Sequence, residues 1–422
     1  MNFYLINPDA ENRGILLIKI DMKNLLIIEP HMSGHHGIYL RWIVRAALER
    51  NCRISIGTFE GSLIFPLFKE MLNEFRNSIE VITLPTPVID YMKDISTGGL
   101  IRRELAYRKL FKRFYNKALR SFQPDWVFLP FLDYSTYATA IVGSPFGETP
   151  WAGIVMRPAF HYKEMGIIGP NSCLLWFKKI LFYWLLQQKS LRALFTIDPT
   201  LEMYIKDKLP TGVEKLHYLI EPANFDGNIS KDASRQVLKI PPDVVLVLVY
   251  GVINSKKGID VLLTALAAQE ALSNVHILVA GRQQPKEEIL LQSSAAKQLL
   301  MSGRLHQMNK FISDEEEFLV FKASDIVWLG YRKHYTMSGV IVQAGRMGLP
   351  IIACKGGVIG WLTKKNKLGI ITDGLNEKDI SESVKQLLIK NPNGVNYGKF
   401  AKRYFSNHTV SQFVKTIFDA LD

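Results

Sequence analysis

Short, almost wholly apolar runs alternate with helix-length amphipathic segments along nearly the whole chain. In the first half, six strand-like runs, from 24–29 to 193–197, are separated by five helical patterns. Strands that are apolar along their length are typical of a parallel sheet covered by helices on both faces. The pattern therefore predicts an α/β fold built on a Rossmann-like, doubly wound parallel sheet.

The alternation is interrupted once and then begins again. The polar, turn-rich segment 221–236 is followed by a second series of strand-like runs, from 244–250 to 350–354. A chain of 422 residues is too long for one ordinary core and fits two domains. We therefore expect two Rossmann-like domains that face a cleft. The expected boundaries are 1–225 for an N-terminal domain, 226–405 for a C-terminal domain and 406–422 for a helix that packs back on the first, with 1–21 an extension or a start-site artefact.

Several classes of protein are excluded by what the sequence lacks. No apolar run approaches the roughly 18–20 residues of a membrane span, and the first twenty residues have the wrong order for a secretory signal. Cys52, Cys173 and Cys354 are odd in number and far apart, which excludes a disulfide framework or a CxxC zinc site. We expect a cytoplasmic protein, peripheral on the membrane if the basic segments described next dock there.

The formal net charge of +13 is concentrated in amphipathic stretches. Segment 100–122 has eight basic residues and one acidic residue, and segment 174–195 mixes aromatic residues with four basic residues and no acid. Ordinary helices with solvated basic faces explain this pattern as well as docking on an anionic bilayer does. Nucleic-acid binding is the weaker alternative, because no RNP, KH or zinc-finger signature accompanies the charges, and we expect no nucleic-acid partner.

Two loops of the first half carry candidate polar groups. The loop after the first strand contains Gly34, His35 and His36, where a glycine lets backbone amides approach an anionic ligand. It is not a GxGxxG motif, so an NAD site has little support, and adjacent histidines alone do not define a metal site. After the strand 151–157, Arg157 and His161 are expected to face the cleft, with His161 as a base or hydrogen-bonding group. A structural histidine is the competing interpretation.

The second half offers a candidate anion site at two strand ends. Segment 250–258 places Asn254 and Lys257 between a buried strand and a helix, where a lysine and the helix start can meet a diphosphate. Ser338 is a good N-cap, and the open amides of Gly339 and Val340 would add to that site. Gln343 lies one and a half turns further along the same helix, although a surface glutamine is a fair alternative. No DxD sequence occurs, so no metal is expected, and the acidic run 314–317 is interpreted as a helix N-terminal charge cluster.

These residues resemble the GT-B glycosyltransferases, most closely glycosyltransferase family four. The resemblance rests on GVINSKKGIDVLLTAL, VHILVAG, FKASDIVWLGY and, above all, SGVIVQAGRMGLPIIACKGGVIG. It implies that the C-terminal domain binds a nucleotide-sugar and the N-terminal domain presents the acceptor, without metal or bound cofactor. It further implies that Lys257 binds the donor diphosphate, that the amides of 338–340 hold its phosphates and that His161 lies beside the transferring sugar.

The chain departs from the family pattern at three positions. Val252 stands where the family has an arginine, and Lys256 or Arg282 would have to replace its charge. The two family glutamates fall on Tyr335 and Gln343. Gln343 can still accept a hydrogen bond from a ribose hydroxyl, but without charge assistance. These departures weaken any prediction of retained stereochemistry and of ordinary activity.

The sequence thus predicts a metal-independent glycosyltransferase of surface polysaccharide or cell-wall assembly. It would transfer a sugar from a nucleoside-diphosphate donor to a glycan or lipid-linked acceptor, with His35, His36 and Arg157 on the acceptor side. Two alternatives remain: a sugar-nucleotide epimerase of the same fold, and a non-catalytic binding protein whose donor site has decayed.

Overall fold

The computed structural model describes residues 23–32, 35–86, 97–208, 212–223, 227–388 and 396–421, with the backbone alone at 35, 97, 98 and 100. The predicted extension 1–21 and Gly34 lie outside the described residues, as does the side chain of His35.

Seven strands form the first sheet, in the order β3-β2-β1-β4-β5-β6-β7, and all run parallel. They are β1 (Asn24–Ile28), β2 (Arg53–Phe59), β3 (Ile79–Leu84), β4 (Trp126–Leu129), β5 (Trp151–Val155), β6 (Leu191–Thr196) and β7 (Leu216–Tyr218). The helices of this part are α1 (His35–Glu49), α2 (Pro66–Glu74), α3 (Thr97–Ala118), α4 (Thr136–Val142), α5 (Leu175–Leu186) and α6 (Pro199–Lys208).

A second parallel sheet has six strands in the order β10-β9-β8-β11-β12-β13. They are β8 (Val245–Tyr250), β9 (Val275–Ala280), β10 (Leu305–Met308), β11 (Ile326–Leu329), β12 (Ile351–Cys354) and β13 (Gly369–Thr372). The accompanying helices are α7 (Lys231–Leu238), α8 (Ile259–Ala268), α9 (Pro285–Leu290), α10 (Ser294–Met301), α11 (Asp314–Ala323), α12 (Gly339–Met347), α13 (Gly357–Asn366), α14 (Glu377–Leu388), α15 (Tyr397–Tyr404) and α16 (Val410–Leu421).

Both faces of the second sheet are buried, as its apolar strands predict. Leu246 and Leu248 of β8 belong to one core cluster, and Val247 and Val249 between them belong to another. Successive side chains of a strand point to opposite faces, so helices must cover this sheet on both sides. The structure confirms the prediction of two Rossmann-like, doubly wound parallel sheets.

The chain divides into two compact units. The first comprises Met1–Asp90, Lys109–Pro130 and Pro145–Trp151, and the second comprises Tyr91–Arg108, Phe131–Ser144 and Ala152–Asp422. Within the second unit, α16 packs against β6, and His408 donates a hydrogen bond from Nδ1 to the carbonyl oxygen of Glu221 at 2.8 Å. The predicted domain boundaries remain predictions.

Serine caps decide two segments of the second half. The sequence pattern over 286–300 is typical of one helix, but the segment forms α9 and α10. Ser293 caps the second of them by accepting a hydrogen bond from the amide of Ala296. The polar segment 221–236 contains the start of α7, which Ser230 caps. Arg235 fixes α7 by donating to Asp325 Oδ2 at 2.6 Å and to the carbonyl oxygen of Ala323 at 3.0 Å.

The edge strands β10 and β13 escaped the sequence analysis. Each is only partly buried and lacks a continuous apolar run, unlike β11 and β12, which have the same length. Pairing with β9 and β12 decides their conformation.

Candidate functional site

Lys257 lies in the turn between β8 and α8, and several contacts fix its side chain. Its ammonium group donates to the carbonyl oxygen of Tyr250 at 2.8 Å and to the hydroxyl of Tyr331 at 2.8 Å. The same nitrogen lies 4.4 Å from the centroid of the Tyr331 ring, a distance at which a cation is attracted to the ring face. The charge is thus held in one place, half-buried, before any ligand arrives.

The backbone around Lys257 is constrained by its neighbours. Gly258 has φ +60°, and a side chain there would bring its Cβ within 2.4 Å of the carbonyl oxygen of Gly330. Asn254 caps the turn by accepting from the amide of Lys256 at 3.1 Å, and Trp328 donates from Nε1 to the carbonyl oxygen of Lys257 at 2.8 Å. This local sequence therefore places the lysine reproducibly at the strand end.

The positive charge of this region contributes to the lowered pKa of a neighbouring histidine, His334. Burial lowers the pKa of His334, and the charges of Lys257 and Lys256 lower it further. The His334 ring meets the Tyr331 ring edge-on at 5.4 Å, so the loop after β11 lies beside the Lys257 turn. A local field of this sign favours an anionic ligand.

Neither proposed substitute for the missing family arginine is fixed by the fold. Lys256 and Arg282 are both exposed, and so is Val252. Arg332 is a nearby guanidinium, but both of its terminal nitrogens bond the carboxylate of Asp260 at 2.7 Å. Of these cations, Lys257 is the one that neutral groups, rather than a carboxylate, hold in place.

Helix α12 begins as predicted, with one difference at its amides. Ser338 is the N-cap, and its hydroxyl accepts from the amide of Val340 at 3.4 Å. The prediction that both the Gly339 and Val340 amides are open was therefore wrong for Val340. At 3.4 Å this bond is long, so a phosphate oxygen could compete for that amide at little cost.

A carboxylate overlooked by the sequence analysis joins the site. Glu317 of α11 accepts from Nε2 of Gln343 at 2.6 Å, and its other oxygen is hydrogen-bonded to the hydroxyl of Tyr250. Tyr250 is also the residue whose carbonyl oxygen receives Lys257. Glu317, Tyr250 and Gln343 thus connect three elements at this end of the sheet, and a negative charge stands next to the glutamine.

A signal for Glu317 was present in the sequence. The acidic run was interpreted as a charge cluster at a helix start, yet Ser313 and Glu316 alone complete a capping box there. The box leaves Glu317 without a capping role. Its direction toward Gln343 depends on how α11 packs on β8 and α12, which the sequence does not state.

Tyr335, at the position of the other family glutamate, serves the packing of a loop. Its carbonyl oxygen accepts from the amide of Val358 at 2.9 Å. Gly357 has φ +75°, and a Cβ there would lie 2.6 Å from the Cα of Tyr335. The chain therefore approaches Tyr335 closely where the glycine allows it.

His161 does not face an open cleft, contrary to expectation. Its side chain is fully buried, and Nε2 lies 2.9 Å from Thr200 Oγ1 and 3.4 Å from Asp198 Oδ2. Thr200 donates its own proton to Asp198 Oδ1 at 2.6 Å, so its oxygen accepts from His161 Nε2–H. Nδ1 has no hydrogen-bond partner among the described residues.

Arg157 is exposed, and its guanidinium lies 5.2 Å from the centroid of the Phe131 ring. Its amide donates to Asp133 at 2.9 Å, and the amide of Met156 donates to the same carboxylate at 2.8 Å. Burial raises the pKa of Asp133. The loop after β5 is thus held by a half-buried acid, while the arginine side chain stays available to solvent.

In the first unit, the loop after β1 is arranged around a buried carboxylate. Glu29 has no exposed surface, and its Oε2 lies 3.0 Å from Nδ1 of His36. The amide of His31 donates to Glu29 Oε1 at 3.2 Å. Glu29 is a second acidic residue that the sequence analysis did not single out.

The described residues hold no cluster of three or more histidine, cysteine or acidic side chains that could bind a metal. Within those same residues, no helix is long and apolar enough to cross a membrane.

Solved structures with this architecture define the class of fold. Sucrose-phosphate synthase from Thermosynechococcus elongatus is similar with a TM-score of 0.66 at 14% identity, over 94% of this chain and 98% of that chain. Anabaena Alr3699/HepE in complex with UDP-glucose gives 0.59 at 15%, over 94% and 99%. WaaG, a glycosyltransferase involved in lipopolysaccharide biosynthesis, gives 0.61 at 16%, over 94% and 98%. The chain has the GT-B fold.

Sequence similarity narrows the class over part of the chain. Residues 230–404 match the family model described as Glycosyl transferases group 1, which confirms the resemblance there. D-inositol 3-phosphate glycosyltransferases of Rhodococcus opacus and Mycolicibacterium smegmatis are 27% and 28% identical over 165 and 167 residues. These segments cover 37% and 39% of this chain and 36% and 37% of the relatives. The match thus spans little more than a third of each relative's length.

Proposed function

We propose that this chain is a glycosyltransferase that moves a sugar from a nucleoside-diphosphate sugar to a glycan or lipid-linked acceptor. The carrying observation is the ammonium group of Lys257, fixed at 2.8 Å from both the Tyr250 carbonyl oxygen and the Tyr331 hydroxyl. The family match over 230–404 includes this lysine and Ser338. The neighbour with bound UDP-glucose supports a nucleotide-sugar as the donor.

The chemistry assigned to this site is stabilisation of a leaving diphosphate. In the transfer, the bond between the sugar carbon and the diphosphate oxygen breaks, and a bond to the acceptor hydroxyl oxygen forms. The hydroxyl proton goes to the leaving diphosphate oxygen or to water. Negative charge grows on the diphosphate as it leaves, and Lys257 together with the amides at the start of α12 would stabilise it. A charge that is already in position costs no reorganisation when the reaction occurs, and the bound geometry supplies the rest.

The ribose of the donor is assigned to the pair Gln343 and Glu317. The amide nitrogen of Gln343 is committed to Glu317 at 2.6 Å, so its amide oxygen is oriented and can accept from a hydroxyl. The Glu317 carboxylate can accept as well. The pair would therefore restore the charge-assisted acceptor that a glutamate at 343 would supply.

The role of His161 is proposed in a weaker form. In this conformation a sugar cannot touch a side chain with no exposed surface. Its unpartnered Nδ1 leaves one acceptor position for a ligand or a water if the loop after β5 opens. While the loop after β5 stays closed, His161 affects the site only by supporting that loop.

We propose that the acceptor is reached at an anionic membrane surface, through α3, α4 and α5. Glu104 of α3 accepts from two amides of α4 at 2.8 Å, and α4 packs against α5. These helices expose large apolar side chains, among them Ile101 (59%), Ile141 (59%), Trp176 (69%) and Trp184 (55%). Exposed tryptophans beside lysines are typical of an interfacial surface.

A titration of nucleotides tests the donor site. UDP, UDP-glucose, GDP-mannose and ADP-glucose should be compared by thermal shift, because a ligand that binds the native state stabilises it by about 2.7 kcal/mol at 100 times its Kd. We expect at least one nucleotide to raise the melting temperature in wild type and not in Lys257→Ala. If none does in wild type, the non-catalytic alternative replaces this proposal.

Transfer itself is tested by mass spectrometry with the stabilising donor and two sets of acceptors. One set is a lipid extract, and the other is phosphorylated polyols, which the names of the two relatives suggest. A product that carries one added sugar supports the proposal. Conversion of the donor in the absence of any acceptor would instead identify an epimerase.

Membrane docking is tested separately by co-sedimentation with vesicles of phosphatidylglycerol and phosphatidylcholine. A Trp176→Ala/Trp184→Ala variant should lose most of its binding, whereas Phe311→Ala, at an exposed aromatic residue outside these helices, should not. If the wild type does not sediment with anionic vesicles at low salt, the proposal of membrane docking is wrong. The proposal of a donor site is not affected by that result.

A further inference from the structure

A cavity of the second unit lies beside α13. It has a volume of about 600 Å³ and is lined by nine residues, from the loop 166–168, from α13 and from the ends of β12 and β13. Sites of this size accommodate a small organic molecule. None of its lining residues belongs to the site around Lys257.

The charge of the lining is uniformly positive. Lys355, Lys364 and Lys365 line the cavity, and none of the nine lining residues is acidic. Within the described part of the chain, neither Lys355 nor Lys364 forms an ion pair with an acidic side chain. Cations that are concentrated in a concave, partly apolar surface attract anions more strongly than isolated surface lysines do.

One of the three lysines is oriented by an aromatic ring. The ammonium nitrogen of Lys365 lies 4.3 Å from the centroid of the Trp361 ring, which is within the range of a cation–π interaction. Trp361 is itself packed against the buried core beside the second sheet. The charge of Lys365 is therefore tied to a fixed element rather than to a mobile side chain.

The remaining lining is apolar. Ile168 and Ile371 contribute side chains, and Gly166 and Gly360 contribute only backbone. The amide of Gly357 donates to the carbonyl oxygen of Ile168 at 2.7 Å, which holds the loop against the start of α13. The ligand that fits has an anionic group for the lysines and an uncharged part for the isoleucines and Trp361.

We propose that this cavity binds the phosphate group of a small phosphorylated organic molecule, at a site separate from the proposed donor site. Lysine ammonium groups bind phosphate as compact point charges, and three of them match a phosphate monoester dianion. A soluble sugar phosphate and the headgroup of a phosphorylated lipid share this chemistry. Ile168 is 53% exposed and lies a few residues before α5, which we propose to dock on a membrane. A lipid headgroup could therefore reach the cavity from that surface.

Isothermal titration calorimetry with glucose 6-phosphate, dihexanoyl phosphatidic acid and neutral glucose tests the site on the full chain. Both phosphates should bind, glucose should not, and affinity should fall as salt is raised from about 50 mM to about 300 mM because the lysines are exposed. Tighter binding of the sugar phosphate identifies a soluble ligand, and tighter binding of the phosphatidic acid identifies a lipid. Absence of phosphate binding overturns the proposal.

Matched variants locate the binding. Lys364→Ala should weaken the Kd for glucose 6-phosphate about three- to tenfold, as expected for one charge-assisted contact that water partly screens. Lys364→Arg should keep most of the affinity, and Lys378→Ala on α14 is the control outside the cavity. If Lys364→Ala and Lys355→Ala both bind like wild type, the phosphate lies elsewhere and the proposal is wrong.

A competition experiment separates this site from the proposed donor site. The titration should be repeated with saturating UDP and with Lys257→Ala. Unchanged binding of glucose 6-phosphate in both conditions supports a distinct site, whether or not the chain transfers sugar. Full displacement by UDP would mean that the phosphate occupies the donor site, which overturns this inference and leaves the proposed function intact.

Discussion

Lys257 and His161 both follow strand ends in the second unit, but their side chains differ in solvent exposure and in hydrogen-bond partners. Lys257 is half-buried, with its ammonium group anchored on one side by a carbonyl oxygen and a phenol. His161 is fully buried between Thr200 and Asp198. Position at the carboxyl end of a strand thus does not decide whether a polar side chain faces a ligand. The decisive factor is which hydrogen-bond partners the neighbouring loop and helix provide.

The comparison predicts that Lys257→Ala removes function without removing the fold. We expect sugar transfer to fall by about 100- to 1000-fold, the usual loss when one preorganised electrostatic group is deleted. The melting temperature should change little, because the side chain is partly exposed. Initial rates beside thermal unfolding check this, with Lys257→Arg as a partial rescue. An active Lys257→Ala enzyme would contradict the assigned role.

His161→Ala should do the reverse and act mainly on stability. Removing a buried ring leaves a cavity, and losses of about 2–4 kcal/mol in the free energy of unfolding are typical of such sites. Urea denaturation measures the loss, and His161→Gln is the control that keeps polarity and part of the volume. If folded His161→Ala protein shows a kcat that is lowered beyond its folded fraction, the histidine contacts the reacting groups after all.

Glu104 extends the comparison to a buried acid with a structural role. Burial raises its pKa to about 7, although its carboxylate accepts from the amides of Tyr137 and Ala138. The folded state therefore binds more protons than the unfolded state, and stability contributed by the protonated form is lost as pH rises from about 4.5 toward 7.

Glu104→Gln should remove this dependence and keep both hydrogen bonds. Relative to wild type, the variant should gain up to about 3 kcal/mol between pH 4.5 and pH 8, an upper limit set by the size of the pKa shift. Denaturation midpoints across this pH range provide the measurement. Parallel pH profiles for the two proteins would show that the carboxyl titrates normally.

The smallest expected effect concerns the partner of Gln343. Gln343→Glu restores the family residue, yet it places a second carboxylate beside Glu317, now 2.6 Å from the Gln343 amide. We expect the single variant to bind UDP about tenfold more weakly through like-charge repulsion. The exchanged pair Gln343→Glu/Glu317→Gln should recover wild-type affinity. Additive effects in this double-mutant cycle would mean that the two side chains do not act together.

Much of the fold could be predicted because its elements repeat a strong local pattern. Apolar runs such as 244–250 and 275–280 correspond closely to β8 and β9. Ser338 before α12, and Gly348 after it with φ +71°, mark that helix by local chemistry. The edge strands β10 and β13 were not predicted, because pairing with neighbouring strands decides their conformation. The break between α9 and α10 was not predicted, because a single capping serine decides it.

The candidate site was predictable only in part. Lys257 and Ser338 were found because strand, turn and cap lie next to one another in sequence. Glu317 was missed because it lies 26 residues from Gln343, and no local pattern connects the two.

The sequence by itself determined the two parallel sheets, their doubly wound helices and the cation at the end of β8. Periodicity, caps and turn residues act over a few positions, and those distances are readable in a linear chain. Only the tertiary structure decided that His161 is buried, that Val340 already has a partner, that Glu317 meets Gln343 and that three lysines share one cavity. Each depends on packing between distant segments, which fixes side-chain direction and solvent access.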